Sequence, residues 1–230
     1  MSLLVVIPAF NEEKSLSNVI WDVRSQIPQA SILVVDDGSQ DSTADVAKSE
    51  GVSVVSLPFN VGVGGALRVG FLYAHRNSFS QVLQIDADGQ HKASEANLLL
   101  KNSNEYDIVI GSRFADSSPN YSASTLRKMA IKWLSFLISK ICKTKLTDVT
   151  SGFRLSSAAA IELFMKDYPV EYLGDTVESL VIAHKAGLTI TEVPVHMSQR
   201  EFGSPSQNFL KSSWYLLRAT LVVVLSLIHR

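Results

Sequence analysis

Two aspartates one position apart follow a run of apolar residues in the segment VLQIDADGQHK, residues 82–92. Side chains alternate along an extended strand, so Asp86 and Asp88 are expected to point to the same side. A divalent cation between them would offset the repulsion of their like charges. Carboxylate oxygens suit Mg²⁺ or Mn²⁺, and Mg²⁺ usually combines one or two carboxylates with substrate phosphates. The spacing therefore favours a metal site that holds a phosphorylated ligand.

The same segment has two other interpretations. An EF-hand calcium loop is excluded, because its register of acidic residues and its closing glutamate are missing. A turn with solvent-exposed acids at the end of a strand stays open as a purely structural alternative.

Short apolar runs alternate with amphipathic stretches along the chain. The runs are LLVVIPA, SILVVDD, VSVVSL, QVLQIDAD and YDIVIGS, and helical patterns cover residues 12–26 and begin near residues 41, 63 and 93. This alternation predicts an α/β fold, with a mostly parallel sheet and helices on both faces. Ligands of such sheets bind beyond the carboxyl ends of the strands. Polar motifs follow the five runs at these ends: 8–12, 36–41, 60–65, 86–90 and 111–113.

The sequence lacks the two common glycine-rich nucleotide-binding loops, although one of the five motifs is rich in glycine and another is acidic. Gly62, Gly64 and Gly65 do not have the G-x-G-x-x-G spacing, which disfavours a dinucleotide-binding enzyme. No G-x-x-x-x-G-K-[ST] is present, so a P-loop is excluded. Asp36 and Asp37 end the second run, where a carboxylate can accept hydrogen bonds from a ribose or a base.

Composition excludes one class of partner. The 230 residues are 46% hydrophobic and 19% charged with a formal net charge of -1, which argues against nucleic-acid binding. The single cysteine, Cys142, cannot form an internal disulfide and fits a reducing compartment. The first residues, SLLVVIPAF, resemble a first strand rather than a signal peptide, so a cytoplasmic location is expected.

Five segments in this order carry a family resemblance: VIPAFNEEKSL, VVDDGSQDST, NVGVGGALRVG, QIDADGQH and GSRF. Together with DVTSGFRL and the later EVPV and REFGSPS segments, they closely resemble a family 2 glycosyltransferase of the GT-A fold. The nearer likeness is to the polyprenol-phosphate sugar synthases, such as the dolichol-phosphate mannosyltransferases. The resemblance covers about residues 2–205. We therefore predict a GT-A domain over 1–205 and a C-terminal amphipathic helix over 206–230.

The resemblance implies three groups of site residues. The nucleotide-sugar pocket is implied to contain Pro8, Ala9, Asn11, Glu12, Asp37, Asp86, Asp88, Gln90 and Glu178. The metal, Mg²⁺ or Mn²⁺, is implied to bind Asp86, Asp88 and Gln90. Catalytic roles are implied for Asp88, Arg113, Asp148, Arg154 and Arg200, with Ser204 in the same mobile loop as Arg200. Two residues depart from the family pattern: Lys92 replaces a common proline, and Gln207 replaces the lysine of a common Ser-Lys pair.

The acceptor determines which groups the site needs. A sugar hydroxyl requires a general base, whereas a phosphate monoester with a second pKa of about 6 is already largely anionic at neutral pH. A lipid phosphate therefore requires arginines more than a base. We therefore predict an inverting transfer of a hexose to a polyprenyl phosphate. The family resemblance implies GDP-mannose as the first candidate for the sugar donor and UDP-glucose as the second. Two alternatives stay open: a saccharide hydroxyl acceptor with Asp175 or Glu178 at the base position, and a nucleotide-sugar binding module without catalysis.

Two segments predict peripheral attachment to the cytoplasmic face of a membrane. Residues 121–147 carry six Lys or Arg and no acidic residue, interleaved with Trp133 and Phe136. Residues 211–230 carry Trp214, Tyr215 and several cations, but their longest uncharged run falls well short of the about 20 residues that span a bilayer. A basic face packed on the sheet, a tail that completes the core, and docking to a separate membrane protein stay open.

Overall fold

A computed structural model describes residues 2–114, 125–170 and 174–198. The strands are β1 (Leu3–Ala9), β2 (Ser31–Asp36), β3 (Ser53–Ser56), β4 (Gln81–Gln84), β5 (Ile108–Ser112), β6 (Arg154–Ser157) and β7 (Ile190–Pro194). The helices are α1 (Leu16–Gln26), α2 (Thr43–Ser49), α3 (Val63–Arg76), α4 (Ala96–Lys101), α5 (Thr125–Cys142), α6 (Ala158–Lys166) and α7 (Ser179–Lys185). A 3-10 turn (Ala93–Glu95) precedes α4, and a π-helical turn (Gly174–Glu178) precedes α7.

Within the described residues the strands form one sheet in the order β3-β2-β1-β4-β6-β5-β7. All neighbours are parallel except β6, which runs antiparallel to both β4 and β5. The predicted mostly parallel sheet is confirmed. The antiparallel strand brings the segment before Arg154 to the same edge as the residues that follow β4 and β5.

The predicted helices cover both faces of the sheet. Strand β1 is buried along its whole length, and its side chains alternate between two apolar cores. Leu4 and Val6 join the core beneath α3, α5, α6 and α7, while Val5 and Ile7 join the core beneath α1 and α4. A continuous apolar run is what burial on both faces requires.

Helix α1 begins at Leu16, four residues later than the pattern from residue 12 predicts. The backbone N–H groups of Asn11, Glu12 and Glu13 bond to side chains that follow β2 instead of a helical cap. Asn11 has a φ of 55°, a left-handed conformation that asparagine tolerates better than most residues. The loops after β1 and β2 are therefore joined, and they form one wall at the carboxyl ends of the strands.

Helix α5 lies within the predicted basic segment and ends before Lys143, whose φ is 51°. None of the described helices combines the length and apolar character that crossing a bilayer requires. The predicted C-terminal helix, residues 206–230, lies outside the described residues.

Candidate functional site

The predicted metal motif forms a closed turn at the end of β4. The backbone N–H of Asp86 donates to Nδ1 of His91 at 3.1 Å, and Oδ1 of Asp88 accepts from the N–H of Gln90 at 3.1 Å. Gly89 has a φ of +76°, which a glycine adopts without strain. The turn holds Asp86, Asp88 and Gln90 half-buried, at the edge where a ligand is expected.

His91 forms the base of this turn. Its ring is buried and stacks on Phe153, with 5.1 Å between the centroids. Because Nδ1 accepts the Asp86 N–H, the ring proton is assigned to Nε2, which lies 3.7 Å from Oδ2 of Asp86. His91 therefore supports the metal motif from within the protein.

Gln84, which the sequence patterns did not single out, contacts Asp86 directly. Its Nε2 donates to Oδ1 of Asp86 at 3.2 Å. Gly152 lies over this pair, because a Cβ there would stand 2.9 Å from Nε2 of Gln84 and 3.1 and 3.2 Å from the two Asp86 oxygens. The available signal was a polar residue two positions before Asp86, which the alternation of a strand would place on the same side as Asp86.

The donor set fits a divalent metal that is shared with a substrate. The Asp86 side chain is 37% exposed, and the bare backbone of Gly152 leaves the space beside its oxygens unfilled. Among the described residues no group of three or more His, Cys, Asp or Glu side chains forms a complete cage. Two carboxylates with phosphate and water oxygens are a common Mg²⁺ or Mn²⁺ arrangement.

Asp37 lies in the neighbouring wall of the site. Its two carboxylate oxygens accept the N–H groups of Val61 at 2.8 Å and Gly62 at 2.9 Å. Burial raises the pKa of the Asp37 carboxyl, and these two bonds act in the opposite direction. Asp37 thus fastens the loop before α3 to the end of β2, and its contact with a base or ribose stays a prediction.

The remaining pocket residues also lie at this edge. Pro8 and Ala9 end β1, and Oδ1 of Asn11 accepts the N–H of Gln40 at 2.8 Å. Oε2 of Glu12 accepts the hydroxyl of Ser15 at 2.8 Å. The structure brings these residues beside Asp37, and their contacts with a nucleotide sugar stay predictions.

Arg113 and Asp148 form the charged pair next to the metal motif. Nε and Nη2 of Arg113 donate to the two oxygens of Asp148 at 2.6 and 2.7 Å, and Nη2 also donates to Oγ1 of Thr150 at 2.9 Å. Asp148 is completely buried, so Arg113 is held in one orientation. Thr150, which bonds to Arg113, is two residues before Gly152, which lies against Asp86. One loop therefore contacts both the Arg113–Asp148 pair and the metal motif.

Glu192, the first residue of the EVPV segment, holds this loop from β7, although no site role is predicted for it from the sequence. Its Oε2 accepts the N–H groups of Thr147 at 2.7 Å and Asp148 at 3.3 Å. From the other side, the hydroxyl of Ser135 in α5 donates to the carbonyl of Thr147 at 3.0 Å. The loop that carries Asp148 is therefore fixed by both an edge strand and a helix.

Arg154 lies behind the loop rather than at its surface. Its guanidinium donates to the carbonyls of Ser151 and Val149, each at 2.8 Å, and to the hydroxyl of Ser179 at 3.1 Å. Burial lowers the pKa of Arg154, while Tyr168 and the carboxyls of Asp175, Asp148 and Asp86 act to raise it. The described contacts of Arg154 are with the protein, and its contact with an acceptor phosphate stays a prediction.

The remaining predicted residues lie in the turn before α7 and in the segment after residue 198. Asp175 is buried and Glu178 half-buried in the π-helical turn. Arg200 and Ser204 lie outside the described residues. The chain leading to them runs beside the metal motif, because the Ser198 N–H donates to the Gln90 carbonyl at 2.9 Å.

Residues 4–164 match the family described as Glycosyl transferase family 2. The chain belongs to glycosyl transferase family 2. It is therefore a glycosyltransferase, and the resemblance carried by the five sequence segments is confirmed.

Known members of this family are similar over most of the chain. Undecaprenyl-phosphate mannosyltransferase of Micrococcus luteus is 32% identical over 210 residues, covering 88% of this chain and 86% of that protein. Dolichyl-phosphate beta-glucosyltransferase of Homo sapiens is 30% identical over 223 residues, covering 86% and 68%.

A solved structure establishes the fold independently of close sequence similarity. Glucosyl-3-phosphoglycerate synthase of Mycobacterium tuberculosis, crystallised with Mn²⁺, UDP and glucosyl-3-phosphoglycerate, superposes with a TM-score of 0.64 at 20% identity. The likeness covers 98% of this chain and 79% of that chain. The predicted GT-A fold is confirmed.

Proposed function

We propose that this glycosyltransferase moves a hexose, with inversion, from a nucleotide diphosphate sugar to a polyprenyl phosphate. The two relatives whose names specify lipid-phosphate acceptors support this reaction, and one is named for mannose and the other for glucose. Mannose from GDP-mannose is our first candidate, and glucose from UDP-glucose is our second.

The observation that carries the proposal is that one loop links the two charged parts of the site. The metal motif offers two carboxylates after β4, and the Arg113–Asp148 pair joins the residue after β5 to the loop before β6. Gly152 joins them, since its backbone lies against Asp86 and its loop carries Asp148. One side of the site therefore suits a metal-bound diphosphate and the other suits an anion.

The donor side requires a divalent metal, Mg²⁺ or Mn²⁺, held by Asp86 and Asp88 with Gln90 nearby. When bound, this metal supplies positive charge that stabilises the departing diphosphate. Asp37, Asn11 and Glu12 form the wall that we assign to the nucleotide. The Mn²⁺ and UDP named with the M. tuberculosis structure are consistent with this assignment.

The acceptor side favours a phosphate over a hydroxyl. A phosphate monoester needs a positioned cation rather than a base. Asp148 fixes Arg113 for that task through two hydrogen bonds. Asp175, the carboxylate considered as a base for a sugar hydroxyl, is 5% exposed and lies against the buried Arg154 and Tyr168.

Helix α5 provides the surface that we assign to the membrane. Its inward face buries Ile131, Leu134 and Ile138. Its outward face exposes Met129, Trp133 and Phe136, together with Lys132 and Lys140. Apolar rings between lysines suit the interface of an anionic bilayer. This placement would bring a lipid-linked acceptor to the loop that α5 holds through Ser135.

The test is a transfer assay with the full chain. Purified protein is incubated with Mg²⁺ or Mn²⁺ and labelled GDP-mannose or UDP-glucose, with and without polyprenyl phosphate. Label should move into the organic phase only when the lipid phosphate is present. Asp88→Ala should abolish that transfer, while Asp45→Ala, an exposed acid on α2, should not alter it.

Three results would contradict the proposal. Label that stays aqueous with both donors would exclude the lipid acceptor, and label transferred to a saccharide instead would favour a hydroxyl acceptor. Donor binding without any transfer, in wild type and Asp88→Ala alike, would indicate a binding module.

A further inference from the structure

Gln84 is a buried amide at the edge of the metal motif. It is the last residue of β4 and is 4% exposed. A buried amide is destabilising unless it is hydrogen-bonded, and Gln84 meets this requirement by donating to Oδ1 of Asp86 at 3.2 Å. An apolar side chain would fill the same position without that requirement, so the amide calls for a reason beyond packing.

The backbone of Gln84 is fixed more firmly than that of Asp86. Strand β4 lies between β1 and β6, with Gln84 paired to Val6 on one side and Arg154 on the other. Asp86 lies beyond the paired residues, in the turn closed by His91. Gln84, whose backbone lies in the centre of the sheet, therefore orients the carboxylate of Asp86, whose backbone lies in a turn.

Gly152 restricts the Gln84 amide from the opposite side. An added Cβ would stand 2.9 Å from Nε2 of Gln84, closer than side-chain carbons approach other atoms. The amide therefore lies between its own strand and the backbone of Gly152. A residue with a Cβ at position 152 would collide with this amide, so the glycine keeps room for Gln84 beside Asp86.

The neutral charge of Gln84 matters as much as its position. A lysine or arginine at this place would neutralise Asp86 and compete with a dication for its oxygens. An amide N–H orients one oxygen and leaves the carboxylate its negative charge. Removing a hydrogen-bond partner of a metal ligand typically lowers metal affinity or activity by about 10- to 100-fold.

We propose that Gln84 is a positioning residue that holds the Asp86 carboxylate in its metal-binding orientation. The role rests on the proposed function, in which Asp86 binds the metal of the donor. It deepens that function by assigning a supporting residue that does not itself contact the donor or metal.

The test compares Gln84→Met with Gln81→Met. Both replace a buried glutamine of β4 by a side chain of similar length, and Gln81 lies three residues earlier, about 10 Å along the strand. Binding of Mn²⁺ to the full chain is measured by electron paramagnetic resonance with UDP, and in parallel with GDP. Gln84→Met should weaken Mn²⁺ binding by about tenfold or more, and Gln81→Met should leave it unchanged.

A kinetic measurement separates positioning from general damage. If Gln84 positions Asp86, the Mn²⁺ concentration for half-maximal transfer should rise, and kcat should recover at saturating Mn²⁺. A disturbed core would instead lower kcat at every Mn²⁺ concentration and lower the thermal unfolding midpoint. Wild-type affinity for Mn²⁺ in Gln84→Met would overturn the inference.

A second variant tests the same pair if Gln84→Met does not fold. Gly152→Ala places a Cβ against both Gln84 and Asp86, and it should also weaken Mn²⁺ binding. Unchanged binding in Gly152→Ala would likewise overturn the inference. Failure of the proposed function would give a different result. Wild type would then form no lipid-linked sugar, but the Mn²⁺ affinities of wild type and Gln84→Met could still be compared.

Discussion

Arg113 and Asp148 meet through two parallel hydrogen bonds, from Nε and Nη2 of the guanidinium to the two oxygens of one carboxylate. The backbone N–H of Arg113 donates to the same carboxylate at 3.1 Å. Asp148 is wholly buried, whereas the Arg113 side chain retains some exposure. The pair therefore presents a cation whose orientation is set from inside the protein.

Asp148→Asn should damage both stability and transfer. The asparagine amide would direct N–H groups at a guanidinium that can only donate, leaving Arg113 without its anion. Removing one partner of a buried pair costs about 3 kcal/mol in the free energy of unfolding. We expect at least a tenfold loss in kcat/KM for polyprenyl phosphate, measured beside urea unfolding. Asp167→Asn, on the exposed end of α6, is the matched control.

A charge-only role for Arg113 would give a different result. Lysine retains the charge but cannot form the two parallel bonds. If Arg113→Lys transferred sugar as fast as wild type, the fixed orientation of the guanidinium would be unnecessary.

Glu192 should act on the acceptor through the loop it holds. Glu192→Ala removes the acceptor for two backbone N–H groups, so we expect a raised KM for polyprenyl phosphate and little change in KM for the donor. Glu192→Gln keeps a carbonyl oxygen that accepts hydrogen bonds, and it should restore most of the activity. Glu162→Ala, an exposed residue of α6, is the control. Equal increases in both KM values would argue against a role in acceptor positioning.

The exposed rings of α5 should determine membrane binding. Trp133 and Phe136 are 55% and 53% exposed and stack on one another with 6.2 Å between centroids. Burying such a side chain contributes about 1.5–3 kcal/mol, so replacing both with serine should weaken binding by about tenfold or more. The measurement is co-sedimentation with phosphatidylglycerol vesicles.

A tryptophan elsewhere on the surface provides the control for α5. Trp21 on α1 is 69% exposed, so Trp21→Ser removes an equally accessible ring from a different face. If Trp21→Ser weakened vesicle binding as much as the α5 variant, membrane contact could not be assigned to α5. Phosphatidylcholine vesicles should bind less well, because Lys132 and Lys140 favour an anionic surface.

Local signals were sufficient for five of the seven strands and for the position of the acidic turn after β4. The apolar run before Asp86 predicts a strand, but β4 ends at Gln84, so Asp86 and Asp88 lie in the following turn and their shared direction stays a prediction. Strand β6 escaped prediction because its four residues, RLSS, are mostly polar and pair with residues of β4 that lie 70 to 76 positions earlier. A short strand of this kind is specified by its neighbours rather than by its own pattern.

Contacts between distant segments were beyond what the sequence alone predicts. Glu192 meets Thr147 across 45 residues, and no local motif connects them. The sequence did not indicate the bonds of Arg154 with Val149, Ser151 and Ser179, and its contact with an acceptor phosphate stays a prediction. The three-dimensional arrangement of the loop determines these roles.

Asp107, at the end of the sheet opposite the site, should make stability depend on pH. Burial acts to raise the pKa of its carboxyl, but hydrogen bonds from Thr189 and Ser157 outweigh burial and hold the pKa below its ordinary value of 3.8. A carboxyl with a lowered folded-state pKa stabilises the protein above its unfolded-state pKa, and this contribution is lost as pH falls through the folded-state pKa. Because the hydrogen bonds from Thr189 are exposed to solvent, Asp107→Ala should lower the free energy of unfolding by on the order of 1 kcal/mol at neutral pH. Urea unfolding at a series of pH values should show the difference from wild type shrinking below about pH 4, and a difference that stayed constant to pH 2 would assign the effect to packing instead.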